Sequence, residues 1–208
     1  MGKKTDKDWA EIELKLAALD KRELLTLLNA MFDLTTENRF FLAARFPPET
    51  GHSKALETHR RRIVEQFLPS RGQPTLNLNK AEKTIDSYLQ ATDDLQGWYD
   101  LMLTLVESGV AVTDLAANEE FYGRVLESLT SLTGLLADYG DEFYPIFRPR
   151  LMKLAKQASV IRFGRCGDLV RREVRELEQK LQVLMRRKIP RARPTRQLLM
   201  GRAKKNDE

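Results

Sequence analysis

The sequence has few residues that form covalent cross-links or bind metals, with one cysteine and two histidines among 208 residues. The single cysteine, Cys166, allows no disulfide within the chain, and a chain without disulfides suits a reducing compartment. Structural zinc needs four Cys or His ligands, and His52, His59 and Cys166 are only three. These absences exclude a disulfide-stapled fold and a structural zinc site. We expect no metal and no other cofactor.

Long hydrophobic runs are also absent. The first fifteen residues, MGKKTDKDWAEIELK, are charged and contain no apolar stretch of the kind found in a signal peptide. No segment approaches the roughly 18 to 20 apolar residues that cross a bilayer. The sequence therefore predicts a cytoplasmic protein with no membrane span.

Strand signals are missing as well. Neither period-two alternation nor hairpin dipeptides occur, whereas apolar residues recur every three or four positions behind capping residues. The pattern predicts an all-α protein of about eight or nine helices, an irregular bundle or an α-α repeat-like array. We expect residues 1–188 to form one helical domain, with a possible internal linker at 69–79 where Pro, Gly and Asn cluster.

The clearest helical signal covers residues 20–46. Asp20 followed by Glu23 predicts a capping box, Thr36 is the predicted cap of the next helix, and two prolines after Phe46 end the segment. Each helix has an apolar stripe that it cannot bury alone. We therefore expect this helix pair to pack against further helices.

Later helix boundaries are predicted from the same capping logic. Asn79 is predicted to cap a helix over 80–91, Asp93 or Asp94 the following one, and Gly109 to end it. A helix is expected from 119 to 139 and another from the prolines near 145 to 163. The chain contains a short internal repeat, in which Gly140-Asp141 and Gly167-Asp168 each predict a glycine turn with an aspartate cap.

The net charge of +5 belongs to the C-terminus. Residues 181–208 carry nine Lys and Arg against two acids, whereas residues 1–180 carry 26 against 28. Residues 189–208 are predicted to be a flexible, disordered basic tail. Three roles are open for it: a solvated tail without a specific partner, nucleic-acid or ribosome association, or contact with an anionic membrane. The candidate phosphate-binding residues are Arg186, Arg187, Lys188, Arg191, Arg193 and Arg196.

The last helix has an apolar seam of alternating four- and three-residue steps, the spacing of a coiled coil. The seam consists of Val170, Val174, Leu177, Leu181 and Leu184. It predicts one partner groove, either in the body of the same chain or in a second copy.

Other polar candidates have a structural alternative. Cys166, near Arg162 and Arg165 at a helix start, would have nucleophilic character, or it is a small residue in a glycine turn. The arginines at 60–62 spread around their helix and form either an ion-paired face, with Glu57 or Glu65, or a phosphate-contacting face. Paired acids at helix starts are interpreted as caps, and most of the aromatic side chains as core.

A set of leucines, phenylalanines and polar residues in the first 46 positions forms a recognisable pattern. It consists of Leu19, Asp20, Lys21, Glu23, Leu24, Leu27, Leu28, Glu37, Asn38, Phe41, Leu42, Arg45 and Phe46. This pattern resembles the opening of a bacterial family catalogued only as a domain of unknown function. The similarity covers roughly residues 10–180 and includes both Gly-Asp turns. It implies an all-helical fold, no assigned activity and no catalytic residue.

Three functions from different classes are compatible with these patterns. The first is a non-enzymatic cytoplasmic interaction module or adaptor for an unknown protein partner, present as a monomer or homodimer. The second is a nucleic-acid- or ribosome-associated protein that binds phosphate backbone through its tail. An enzyme is a third, resting only on Cys166 and scattered carboxylates.

Overall fold

A computed structural model of the chain describes residues 2–46, 52–112, 119–139, 142–158 and 166–187. Side chains are described for residues 8–46, 54–112, 119–139, 142–158 and 167–183. The described residues form nine helices and no strands, which confirms the all-α prediction. The helices are α1 (Gly2–Ala17), α2 (Lys21–Leu34), α3 (Thr36–Arg45), α4 (His52–Phe67), α5 (Leu78–Thr92), α6 (Leu95–Val110), α7 (Glu119–Tyr139), α8 (Tyr144–Gln157) and α9 (Cys166–Arg187).

The chain divides into two compact units, Met1–Phe46 and Pro47–Glu208. The first contains α1 to α3 and the second α4 to α9. The predicted linker at 69–79 lies inside the second unit, where the backbone N–H groups of Thr75 and Leu76 both donate to the carbonyl of Gln66. Whether residues 1–188 fold as one domain stays a prediction.

In the first unit, α2 and α3 pack closely on each other. The capping box is confirmed, because the Asp20 carboxylate accepts from the Glu23 N–H and the Glu23 carboxylate from the Asp20 N–H, both at 2.8 Å. The prediction of Thr36 as the next cap was wrong. Thr35 has the extended backbone that a cap requires, and its hydroxyl accepts from the Asn38 N–H at 3.0 Å.

The second unit is a stack of helical hairpins. Every close packing within it joins helices that are neighbours or next-neighbours in chain order, as in α-α arrays. Helices α4, α6 and α8 form one row, with α6 packed against both of the others. Helix α9 packs on α7 and α8. The core lies between these helices, and its largest fully buried side chains include Tyr88, Tyr99 and Phe67.

Several predicted boundaries in the second unit shift by one or two residues. Asn77 caps α5, with its side chain accepting from the Lys80 N–H, whereas Asn79 was predicted. Asp94 caps α6 through the Gly97 N–H. Gly109 does not end that helix, which continues to Val110. Gly109 is buried, and an added Cβ at this position would lie 2.6 Å from Val125 Cγ2. The helix predicted over 119–139 is confirmed.

Only the second copy of the Gly-Asp repeat lies within the described residues. Helix α9 begins at Cys166, so Gly167 and Asp168 lie within its first turn, and Asp168 was wrongly predicted as the cap. Gly140 and Asp141 are outside the described residues. Helix α8 continues through Pro149 to Gln157, and the rest of its predicted extent to 163 is beyond the description after Ala158. No helix in the described part of the chain has the length and apolarity to cross a membrane.

Candidate interaction surface

Exposed apolar side chains are concentrated in the first unit. Of the fourteen large hydrophobic residues that are exposed among the described residues, eleven precede residue 47. Among the side chains described at 8–46, the only buried apolar one is that of Ala44. We call these eleven residues the N-terminal apolar surface: Trp9, Ile12, Leu14, Leu25, Leu27, Leu28, Met31, Phe32, Leu34, Phe41 and Phe46.

Helix α2 forms the centre of this surface. It has seven large apolar side chains in fourteen residues, and none of its residues is buried. At 100° per residue the seven occupy one broad half of the helix, and Thr26 and Asn29 lie on the opposite half. Leu28 and Met31, at the middle of the apolar half, are 41% and 45% exposed. Packing on α3 therefore covers this face only in part.

Polar contacts hold the corner between α2 and α3. The Asn38 amide donates to the carbonyl of Met31 at 2.7 Å, and the Arg39 Nε donates to that of Phe32 at 3.2 Å. These bonds satisfy carbonyls that the end of a helix leaves without intrahelical partners. The Arg39 guanidinium also lies 5.7 Å from the centre of the Phe32 ring. Hydrogen bonds thus specify the corner, while its apolar side chains remain partly exposed.

A charged cluster connects the row of α4, α6 and α8 in the second unit. The Asp100 carboxylate accepts from the Arg60 Nη2 at 2.7 Å and from the Arg150 Nη1 at 2.5 Å. Arg150 also donates to Glu107 at 2.6 Å and to the Thr104 hydroxyl at 3.0 Å. Arg60 is paired with Glu57 besides. We call this group the Asp100 cluster.

The electrostatics of the Asp100 cluster favour its charged state. Burial opposes the charge of Arg150, but hydrogen bonds to Glu107 and the charges of Glu107 and Asp100 outweigh burial and raise the pKa of Arg150. The pKa of Arg60 is raised in the same way by Asp100 and Glu57. Since its cations and acids are mutually paired, the cluster fits a structural link between helices better than a site for a charged ligand.

Two further buried side chains with polar groups, His59 and Tyr88, lie beside the Asp100 cluster. The His59 Nδ1 donates to the Ala55 carbonyl at 2.8 Å, and its ring meets Tyr88 edge-on at 5.2 Å. Burial, together with the charge of Arg62, lowers the pKa of His59. The Tyr88 hydroxyl donates to Asp94 at 2.6 Å, and burial followed by that bond raises the pKa of Tyr88. Both groups are therefore uncharged near neutral pH.

An open groove of about 450 Å³ lies between α8 and α9. Apolar side chains and charges of both signs line it, and Glu178 accepts from Arg148 and Tyr144 at its margin. Its mixed charge selects no particular ligand class. The lining residues are Met152, Ala155, Lys156, Arg171, Val174, Arg175 and Glu178.

The predicted seam of the last helix lies inside the same chain as far as it is described. Val170, Val174, Leu177 and Leu181 are all buried, and α9 packs on α7 and α8. The side chain of Leu184 is outside the described residues. The four described positions therefore have a groove in their own chain and leave no free apolar stripe.

The predicted phosphate-binding residues fall outside the described part. The side chains of Arg186 and Arg187 are not described, nor is any atom of Lys188, Arg191, Arg193 or Arg196. The side chain of Cys166 is outside it too, so its predicted roles stay predictions. Of the arginines at 60–62, Arg60 pairs with Glu57, as predicted, and Arg61 is exposed.

No cluster of three or more His, Cys, Asp or Glu side chains suited to a metal ion occurs among the side chains in the described ranges. Sequence reasoning missed the Asp100 cluster, because its two arginines lie 40 and 50 positions from Asp100 along the chain. It also missed the exposure of α2, since an amphipathic pattern does not say what covers the apolar side.

Comparison of the chain with protein-family models, with curated proteins and with solved structures finds no match. The resemblance to a bacterial family therefore stays a prediction.

Proposed function

We propose that the protein is a cytoplasmic helical interaction module, or adaptor, without a chemical step. It binds an apolar helix face of another protein chain through the N-terminal apolar surface. The observation that carries this proposal is the exposure of α2, which has seven large apolar side chains and no buried residue.

Exposure of such an apolar surface to water is unfavourable. Burial of apolar area is favourable by about 25 cal/mol per Å². Soluble monomers rarely expose contiguous apolar patches beyond a few hundred Å², and larger ones mark interaction sites. A helix face is the natural partner, because its side chains fill the grooves of an amphipathic helix at the same spacing.

The test places a photoreactive benzoylphenylalanine in the full chain, expressed in its native cell, at Leu28 or at Thr26. Both positions are exposed on α2 but lie on opposite halves. We expect protein adducts at Leu28 in clear excess over Thr26. Equal yields at the two positions, or none at Leu28, would contradict a docking role for this surface.

A second function is proposed for the tail, on the charge count of residues 181–208. It is association with the phosphate backbone of nucleic acid, free or in the ribosome, through the six candidate cations from Arg186 to Arg196. Each phosphate contact makes binding more salt-dependent, by a slope of about one per contact. Binding of the full chain to duplex and single strands at two salt concentrations tests it, with a variant in which the six cations are glutamine as control. Salt-insensitive or absent binding rules it out.

A further inference from the structure

We propose that the partner of the N-terminal apolar surface is the same surface on a second copy of this chain, in a two-fold homodimer. This inference rests on the proposed function, since it names the protein chain that covers the surface. In a two-fold interface the same patch serves both copies, so it must be complementary to itself.

The size of the surface fits a dimer. Eight residues of the surface lie on α2, on α3 or at the C-terminal cap of α3, two helices that pack on each other. If each of these eight leaves on the order of 100 Å² in water, they offer roughly 800 Å² per copy, or about 1,600 Å² in a dimer. Stable interfaces bury about 1,200 to 2,000 Å² in total, and homodimers often more.

The chain offers no second apolar surface of this kind among its described residues. Among the side chains described at 54–112, 119–139, 142–158 and 167–183, the exposed large apolar ones are Leu68, Ile146 and Val183, which follow α4 or lie on α8 and α9. An apolar face is stabilised only by apolar area opposite it. Within this chain's described repertoire, the matching area is the N-terminal apolar surface itself.

The charges of the segment permit self-association. Residues 1–46 carry eight Lys and Arg and eight Asp and Glu, a net charge of zero, so two copies have no net repulsion between their first units. The polar residues Thr26 and Asn29 lie away from the apolar half of α2. A partner recognised by strong charge would require an excess of one sign here, and the segment has none.

The spacing of α2 also suits pairing of identical helices. Leu24, Leu27, Met31 and Leu34 follow one another by three, four and three residues, which is the repeat of a coiled-coil seam. Leu34 is 75% exposed, at the end of that seam. Two such helices can interdigitate about a two-fold axis, with the flanking Leu28 and Phe32 covering the contact.

The experiment is sedimentation equilibrium of the purified full chain over the micromolar range. We expect the wild type at twice its monomer mass of 24.0 kDa. Leu28→Lys with Met31→Lys adds two cations to the apolar half, and Thr26→Lys with Asn29→Lys adds two at the same spacing to the polar half. The first pair should weaken dimerisation by about 100-fold or more, and the second should leave it within about threefold.

A charge-reversal mixture keeps the test valid if the first variant loses structure. Leu28→Glu with Met31→Glu should also be monomeric, yet an equimolar mixture with the Lys variant should restore the dimer mass through opposite charges. If circular dichroism shows that the Lys variant loses helix content, the inference is tested by photo-cross-linking instead. For this, benzoylphenylalanine replaces Leu28 in the otherwise unchanged purified chain. A cross-linked product of dimer mass then supports the inference, and its absence overturns it.

A wild type that is monomeric at all concentrations overturns the inference, and so does a dimer that survives the Leu28 and Met31 substitutions. Failure of the inference alone differs from failure of the proposed function. A monomer whose Leu28 position cross-links to a different protein in the cell leaves the interaction module standing. A monomer without Leu28 adducts removes both.

Discussion

At the scale of single residues, close packing decides positions that helix propensity would treat as equivalent. Gly109 lies inside α6, where an added Cβ would come within 2.6 Å of Val125 Cγ2. Gly123 in α7 is exposed, and a Cβ there would meet nothing within 4 Å. Alanine should therefore fit at position 123 but not at position 109.

Gly109→Ala should destabilise the protein by about 1 to 3 kcal/mol, because the overpacking against the stiff Val125 side chain exceeds the propensity gain of alanine, which is at most about 1 kcal/mol. Gly123→Ala, the matched control, should stabilise it by up to about 1 kcal/mol. Urea denaturation followed by circular dichroism measures both. A neutral or stabilising Gly109→Ala would show that α6 and α7 can separate freely at this point.

His59 gives the second residue-scale prediction, a loss of stability in mild acid. Its pKa in the folded protein is below the ordinary 6.5, mainly because burial disfavours the charged ring. The unfolded chain therefore takes up the proton first as the pH falls. The contribution to stability is complete above 6.5 and is lost as the pH decreases from 6.5 towards the folded value.

Urea denaturation from about pH 7.5 to about pH 5.5 should give a free energy of unfolding that decreases by at most about 1.4 kcal/mol per pH unit from this group. The slope should diminish in His59→Phe and persist in His52→Gln, which removes the other histidine. Equal slopes in wild type and His59→Phe would show that other groups cause the pH dependence.

At the scale of elements, the Asp100 cluster holds α4, α6 and α8 in one row. Asp100 is the shared acceptor, with a side chain only 14% exposed, between arginines from the two flanking helices. Removal of the Asp100 charge is costly, because Arg60 and Arg150 are only partly exposed and lose the acceptor that they share, although each keeps one other acid. The cluster therefore contributes most as a set, and removal of its centre is its most sensitive test.

Asp100→Asn should lower the free energy of unfolding by about 1 to 3 kcal/mol, since it leaves Arg60 and Arg150 with less compensating charge. The control is Glu176→Gln, which weakens an exposed pair with Arg172 at 3.6 Å and should change stability by less than about 0.5 kcal/mol. Chemical denaturation compares the two. Equal effects would mean that solvent screens the Asp100 cluster as fully as a surface pair.

Boundaries of elements were predictable to within a turn. The capping box at Asp20 and the helix over 119–139 are local patterns, and the structure agrees with both. Gly109 was misread as a helix end because glycine is common there, whereas its actual requirement comes from Val125 on another helix. Thr35, and not the predicted Thr36, caps α3. Either hydroxyl satisfies the sequence pattern of a helix cap, and only the backbone conformation selects between them.

At the scale of the whole molecule, the two units differ in how much apolar area they bury. The large buried side chains of the core all belong to residues 63 onward, whereas residues 8–46 contribute only Ala44. A unit with its own core can fold alone. Isolated short helices without such a core are marginal in water.

A fragment of residues 47–208 should therefore keep a cooperative thermal unfolding transition, because it contains that core. A peptide of residues 1–46 should be weakly helical when dilute and gain helicity with concentration, as its apolar surface becomes covered by other copies. Circular dichroism on both pieces measures this. A fragment 47–208 without a cooperative transition would show that its core depends on the first 46 residues.

The all-helical class, most helix limits and the segregation of basic charge to the C-terminus could be predicted from the amino-acid sequence, because capping, periodicity and composition are local properties. Which apolar faces are covered depends on packing between helices and could not be predicted. The stripes of α2 and α9 look alike in sequence, yet α9 is buried by α7 and α8 while α2 has no buried residue. The hydrophobic effect is non-directional. An amphipathic sequence pattern therefore predicts that one face of a helix favours burial, but it does not predict which element buries that face.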